Sequence, residues 1–207
     1  MWGTWHHPRA DEMPPLRLPL LAARPKGRAS RSASRSAPYA QPLTPMPSDA
    51  LSITPATKAD VPLILSLIRG LAAYEKLAHA CVATEDALRK TLFGDRPYAE
   101  VLVARVGGEP AGFALFFHNY STFLAKPGIY LEDLFVVPAY RRRGVGRALL
   151  ARLARVARDR DCGRLEWSVL DWNEPAIAFY KRLGAEVLPD WRICRVTGDA
   201  IGRLADS

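Results

Sequence analysis

Residues 140–150 read "YRRRGVGRALL". Three arginines run into Gly-Val-Gly, and helical spacing takes over behind them. Leu149, Leu150, Leu153, Val156 and Ala157 recur on one face, with Arg152, Arg155 and Arg158 mostly on the other. Upstream, "GIYLEDLFVVP" (128–138) is a long strand ended by Pro138. The stretch is therefore a tight strand-to-helix turn. Its glycines let the backbone approach a ligand, and the new helix aims free N–H groups and its positive dipole end at the same point. Such a turn suits a phosphate or pyrophosphate. A dinucleotide fingerprint wants a third glycine where Leu149 stands, and a nucleotide P-loop wants Gly-Lys-Ser/Thr where Gly146-Arg147-Ala148 stands. A nucleic-acid clamp would interleave aromatics with more basic residues than this.

Working outward, "LSIT" (51–54) reads as a first strand. Thr57 or Asp60 caps a helix from Val61 to Tyr74, with Leu63, Leu67, Ile68 and Leu71 on one face. Thr84 precedes a helix from Glu85 to Phe93, closed by Gly94, and Glu85 and Asp86 suit its N-terminus. "YAEVLVARV" (98–106) and "AGFALFFHN" (111–119) form a hairpin around "GGEP". The arginine helix stops at Gly163, and "RLEWSVL" (164–170) is a strand. Asn173 caps a further helix with Pro175 in its first turn, an apolar face of Ala176, Phe179, Tyr180 and Leu183, and Gly184 as its stop. "WRICRVT" (191–197) is expected to be a last strand. A hairpin followed by strand–helix–strand–helix–strand predicts an α/β (α+β) sandwich around one mixed sheet.

The chain has 207 residues, 49% hydrophobic and 24% charged, enough for one domain and a tail. Residues 1–50 hold seven Lys/Arg against three Asp/Glu, and the other 157 hold 22 against 18, so each part carries +4. The folded part is only mildly basic, which counts against nucleic acid as its partner. Cys81, Cys162 and Cys194 show neither metal-ligand spacing nor a disulfide pattern, so they read as small buried hydrophobes in a reducing, cytoplasmic compartment. No run is long enough for a membrane helix. Residues 13–47 lack Asp and Glu but hold six Lys/Arg and eight Pro. That composition predicts a disordered tail over 1–48 before a domain over 49–207. A transit peptide and a nucleic-acid arm are both open to such a tail; Met46 reads as the natural start.

Arg141-x-x-Gly144-x-Gly146 resembles the acyl-coenzyme A signature Gln/Arg-x-x-Gly-x-Gly/Ala of the GNAT family of N-acetyltransferases. "NEPAIAFYKRLG" (173–184) resembles that family's second signature, with Asn173, Ala176, Phe179, Tyr180 and Gly184 in the matching places. The resemblance covers about residues 51–204. "AAYEKL", "NYSTF", "IYLEDLFV" and "LDWNEPAIAFYKRLGA" are similar to the diamine and thialysine acetyltransferase branch. The resemblance implies the GNAT fold, a central mixed and mostly antiparallel sheet flanked by helices. It also implies acetyl-CoA as co-substrate, a small amine as acceptor, direct transfer without a metal, and a homodimer without nucleic-acid or membrane partners. Acetylation of protein lysines or N-termini is the alternative, and a non-enzymatic binding module a more distant one.

In that chemistry the turn Arg142, Arg143, Gly144, Val145, Gly146 and Arg147 would hold the pyrophosphate. Main-chain groups of Phe135 and Val137 would meet the pantetheine arm and polarise the carbonyl. The amine arrives protonated, with a pKa of ~10, and needs a base. Glu132 is the candidate, directly or through water. Asp133 is its companion for drawing a cation, but regular alternation sends neighbouring side chains to opposite faces unless a bulge intervenes. Tyr180 is the candidate acid toward the coenzyme A thiolate, and its apolar helical face equally suits a core tyrosine. Asn173 is a helix cap, a coenzyme A contact, or both. Tyr74 and Glu75 match substrate-side positions, and Trp172 and Trp191 are expected to wall an amine channel, where aromatic faces attract ammonium. His79 and His118 stand alone as structural or surface residues.

Overall fold

Alternating apolar residues on both sides of one strand, as in "EVLVARV", demand cover on both faces, and the fold supplies it. The computed structural model describes residues 50–207; the predicted disordered tail and Met46 lie outside them. Five strands, β1 (Leu51–Pro55), β2 (Glu100–Val106), β3 (Glu109–Ser121), β4 (Lys126–Val136) and β5 (Leu165–Trp167), form one sheet in chain order. The first three pairings are antiparallel and β4–β5 is parallel, as the mixed-sheet expectation requires.

Helices α1 (Val61–Tyr74) and α2 (Glu85–Phe93) cover one face, packing Val61, Ile64, Leu65 and Leu88 on Val101, Val103, Phe113 and Phe135. Helix α3 (Val145–Asp159) covers the other with Leu149, Leu150, Leu153 and Ala157 on Leu102, Ala114, Phe116 and Leu131; Phe179 and Tyr180 of α4 (Glu174–Arg182) join that core. The buried stripe of α1 is Val61, Ile64, Leu65 and Leu67, while the expected Leu63, Ile68 and Leu71 lie at its half-buried margins.

Local signals account for the boundaries. Thr57 N–H and Oγ1 both donate to Asp60 Oδ2, at 2.8 and 2.9 Å, just before α1. Ala87 N–H donates to Thr84 Oγ1 at 3.2 Å and Ala176 N–H to Asn173 Oδ1 at 3.4 Å, so both predicted caps form. Gly107 and Gly108, at φ 60° and 88°, make the two-residue β2–β3 turn. Helix α3 ends at Asp159, before Gly163, because Asp161 at φ 51° takes the left-handed position.

Two expectations fail. Residues 191–197 form no strand; a short helix α5 (Asp199–Ala205) follows them. A strand needs a partner edge for its N–H and C=O groups, and among the described residues no strand pairs beyond β5. The cysteines are not buried: Cys81 and Cys162 are half-buried and Cys194 is exposed. No helix among the described residues is long and apolar enough to cross a membrane.

Candidate active site

The site forms where β4 parts from β5. The two strands pair only over Ile129–Leu131 with Leu165–Trp167. Beyond Leu131 the β5-side edge of β4 has no partner strand among the described residues, and it leads to the arginine turn. A bulge controls what that edge presents. Leu115 opposes Asp133 and Phe116 opposes Leu131, which leaves Glu132 as the extra residue.

The extra residue reverses the alternation. Before it, Ile129 N–H points to β5 and donates to Arg164 O at 3.0 Å. After it, Val137 N–H points the other way and donates to Ala111 O at 2.9 Å. Phe135, paired with Phe113 two residues earlier, shares that orientation. The main-chain groups of Phe135 and Val137 therefore face β3, and the expectation that they serve the pantetheine arm is corrected. Leu134 and Val136 face the open slot, and Val136 O accepts from Arg141 Nε at 3.1 Å.

The side chains reverse as well. Ile129 and Leu131 pack on the α3 face, whereas Phe135 and Val137 pack on the α1 face. Asp133 shares the register of Phe135, so the bulge brings it to the side where α1 ends in Tyr74 and Glu75. Burial, then the negative charges of Glu132 and Glu75, push its carboxyl up to about 6. Burial also raises Glu75. Glu132 is exposed. Among the described residues no Lys or Arg forms an ion pair with any of the three. The three carboxyl groups make this recess electronegative.

Aromatic side chains wall the recess. Tyr74 Oη donates to Asn173 Oδ1 at 3.2 Å, so one amide oxygen both caps α4 and ties it to the end of α1. The Tyr74 and Trp172 rings lie 6.0 Å apart, Lys76 Nζ sits 5.6 Å from the Trp172 ring, and the Arg141 guanidinium lies 4.6 Å over Tyr74. Trp191, by contrast, is 78% exposed and makes no ring pair with a described residue, so Trp172 is the tryptophan the fold brings to Tyr74.

Tyr180 packs its ring 5.0 Å from Trp167 and 5.4 Å from Phe179. Burial, reinforced by Tyr74 and Glu75, pushes its phenol up to about 12. Its ring packs against the α3-side core, and the phenol keeps its proton in the neutral range. In the arginine turn Arg142 (φ 61°) and Gly144 (φ 83°) adopt left-handed backbone, and Gly144 opens α3. Ala148 N–H makes the first helical bond, to Gly144 O at 3.0 Å. The amides of Val145, Gly146 and Arg147 precede it and have no partner within the helix. Arg142, Arg143 and Arg147 are exposed around them, while the Val145 side chain is buried, leaving its N–H as its contribution.

Comparison with known proteins agrees with this geometry. A sequence model of the "Acetyltransferase (GNAT) family" matches residues 71–185. The chain belongs to the GNAT acetyltransferase family. A thialysine N-epsilon-acetyltransferase of Bos taurus is 41% identical, over 74% of this chain and 96% of that one. The L-ornithine N5-acetyltransferase NATA1 of Arabidopsis thaliana is 39% identical, over 70% and 84% respectively. An integron cassette protein from the mobile metagenome of V. cholerae shares the fold at TM-score 0.65 and 25% identity, over 76% and 98%. An aminoglycoside N-acetyltransferase solved with CoA does so at TM-score 0.60 and 22% identity, over 74% and 99%.

GNAT acetyltransferases use acetyl-CoA, and the turn of this member fits that group. A Cβ on Gly144 would meet nothing within 4 Å, so space is open over the free amides. Sequence reasoning missed Arg141 as an aromatic-stacking residue, Lys76, and the Tyr74–Asn173 bond. Only the last had a local signal, the cap position of Asn173; the others depend on contacts between distant segments.

Proposed function

We propose that this enzyme transfers the acetyl group of acetyl-CoA to a primary amine of a small cationic substrate: a diamine, a polyamine or a thialysine-like amino acid. The observation that carries this reading is the recess of Glu75, Glu132 and Asp133, where burial and the two neighbouring carboxylates raise Asp133, none of the three is ion-paired with a described residue, and Tyr74 and Trp172 form the walls. It asks for a compact cation, and the thialysine and ornithine in the relatives' names are amines of that kind.

Arg142, Arg143 and Arg147 attract the pyrophosphate, and the amides of Gly144 to Arg147 donate to it. Bound acetyl-CoA supplies the thioester whose carbonyl carbon accepts the amine. Val136 N–H, on the slot side of β4, is the donor toward the developing oxyanion. Asp133 and Glu75 draw the ammonium, and Glu132, open to solvent, takes the proton that the nitrogen loses, directly or through water. As the C–N bond forms and the C–S bond breaks, Tyr180 gives its proton to the sulfur, and its phenolate is reprotonated by the second proton that the new amide nitrogen sheds. Asn173 holds α4, and with it Tyr180, against Tyr74.

The protein is further proposed to be a homodimer in the reducing cytoplasm. The exposed apolar residues Leu188, Trp191, Ile193 and Ile201 support a covered C-terminal segment, and the three free cysteines support the compartment. Sedimentation velocity on the intact protein and on Trp191→Glu tests the dimer, and a monomeric parent refutes it.

The activity test is thiol release from acetyl-CoA with putrescine, spermidine, thialysine, lysine and a lysine peptide as acceptors. Turnover with a small amine, and little with the peptide, is expected. Preference for the peptide would move the assignment to protein acetylation.

A further inference from the structure

A cavity of about 250 Å³ lies at the corner of the sheet where edge strand β1 ends, between the last turn of α2 and the second half of α3. Phe93, Leu102, Phe116 and Val156 give it an apolar body. Its charged lining is Glu100, Arg152 and Arg160. Two of these cancel, because Arg160 clasps Glu100 through both terminal guanidinium nitrogens. Arg152 remains. With the described residues it makes no hydrogen bond or ion pair, and its Nε is buried without a partner. Among the described residues only one other buried side-chain polar atom, Asn119 Oδ1, is in that state. The same arginine borders an adjoining hollow lined by Leu51, Ile53 and Arg155, so no carboxylate reaches it from that side either.

A buried guanidinium nitrogen with no acceptor is costly, and native proteins supply one from protein, water or ligand. Here the Arg152 side chain lines an apolar hollow with two aromatic rings. We infer that this corner binds a small amphipathic carboxylate, its charged head on Arg152 and its aromatic or branched body against Phe93, Phe116 and Val156. The site is separate from the acetyl-CoA turn. Arg152 and Val156 lie roughly 10–17 Å along α3 from its N-terminus, at 1.5 Å per residue.

The test is titration of the full-length protein with 3-phenylpropionate by calorimetry, with and without saturating coenzyme A. Saturable one-to-one binding that survives coenzyme A is expected. Arg152→Met keeps the apolar stem and should weaken it about ten-fold or more, and Arg152→Lys should restore part of the loss. The neutral 3-phenylpropanamide should bind as weakly as the acid does to Arg152→Met. Val156→Trp, which fills the hollow but leaves the arginine, should abolish binding. All variants should keep their acetyl transfer, which reports on folding. No saturation by about 10 mM, equal binding of acid and amide, equal binding by Arg152→Met, or displacement by coenzyme A would each overturn the inference.

Discussion

Replacing Asp133 by asparagine separates what the carboxylate does for the reaction from what it costs the fold. Buried beside Glu132 and Glu75, Asp133 titrates at about 6 instead of its ordinary 3.8. Each tenfold in proton affinity is worth about 1.4 kcal/mol, so once ionised it costs the folded state up to about 3 kcal/mol. The sign follows from the two pKa values. Below about pH 4 the group is protonated in both states and carries no penalty. Between about 4 and 6 the unfolded chain releases its proton while the folded one keeps it, and stability falls as pH rises. Above about 6 the penalty is complete. Asp133→Asn removes the charge at every pH, so its advantage should grow from near zero at pH 4 to about 2–3 kcal/mol at pH 8. Urea midpoints of both proteins at the two pH values measure it. A poorly placed amide would lower the variant's stability alike at both, so the change of the gap with pH is decisive. The same variant should lose about 10²-fold in kcat/KM for the amine, together with the acid limb near pH 6. A gap that stays constant between pH 4 and 8, or a variant of full activity, would refute the tuned-recess argument.

Other perturbations test the remaining parts. Tyr180→Phe should lower kcat about 10²-fold with little change in coenzyme A affinity, and because the phenol titrates at about 12, the parent's kcat should show no alkaline fall below pH 10; steady-state pH profiles check both. Gly144→Ala imposes a side chain on φ 83° in open space, so its cost is conformational, about 1–2 kcal/mol by thermal unfolding, with a weaker coenzyme A Kd by calorimetry. Asn173→Ala loses the α4 cap and the Tyr74 bond together, about 1–2 kcal/mol, whereas Asn173→Asp keeps an acceptor for both and should recover most of it in the same unfolding assay.

The parts of the fold legible in the sequence are those whose causes are local. The boundaries Val61–Tyr74 and Glu85–Phe93 follow from caps and stops within a few residues, and the Gly107–Gly108 turn fixes its own hairpin. The arginine turn belongs with them, because a strand, two glycines and an amphipathic helix are all contiguous. What escaped depends on partners. Simple alternation counted from Ile129 assigns the slot to Phe135 and Val137, and one extra residue at Glu132 moves it to Leu134 and Val136. That displacement also delivers Asp133 to Glu75 and makes its carboxyl a weak acid, so an irregularity of pairing, invisible in β-propensity, sets the chemistry of the recess. Trp191 and Ile193 carry the alternating pattern of a strand and yet stay exposed and unpaired. A two-residue period reports that one face wants cover; it does not say which chain provides the edge. The same segment that defeats the sequence reading is thus where this chain has apolar surface left to bury, and the dimer proposal rests on that demand.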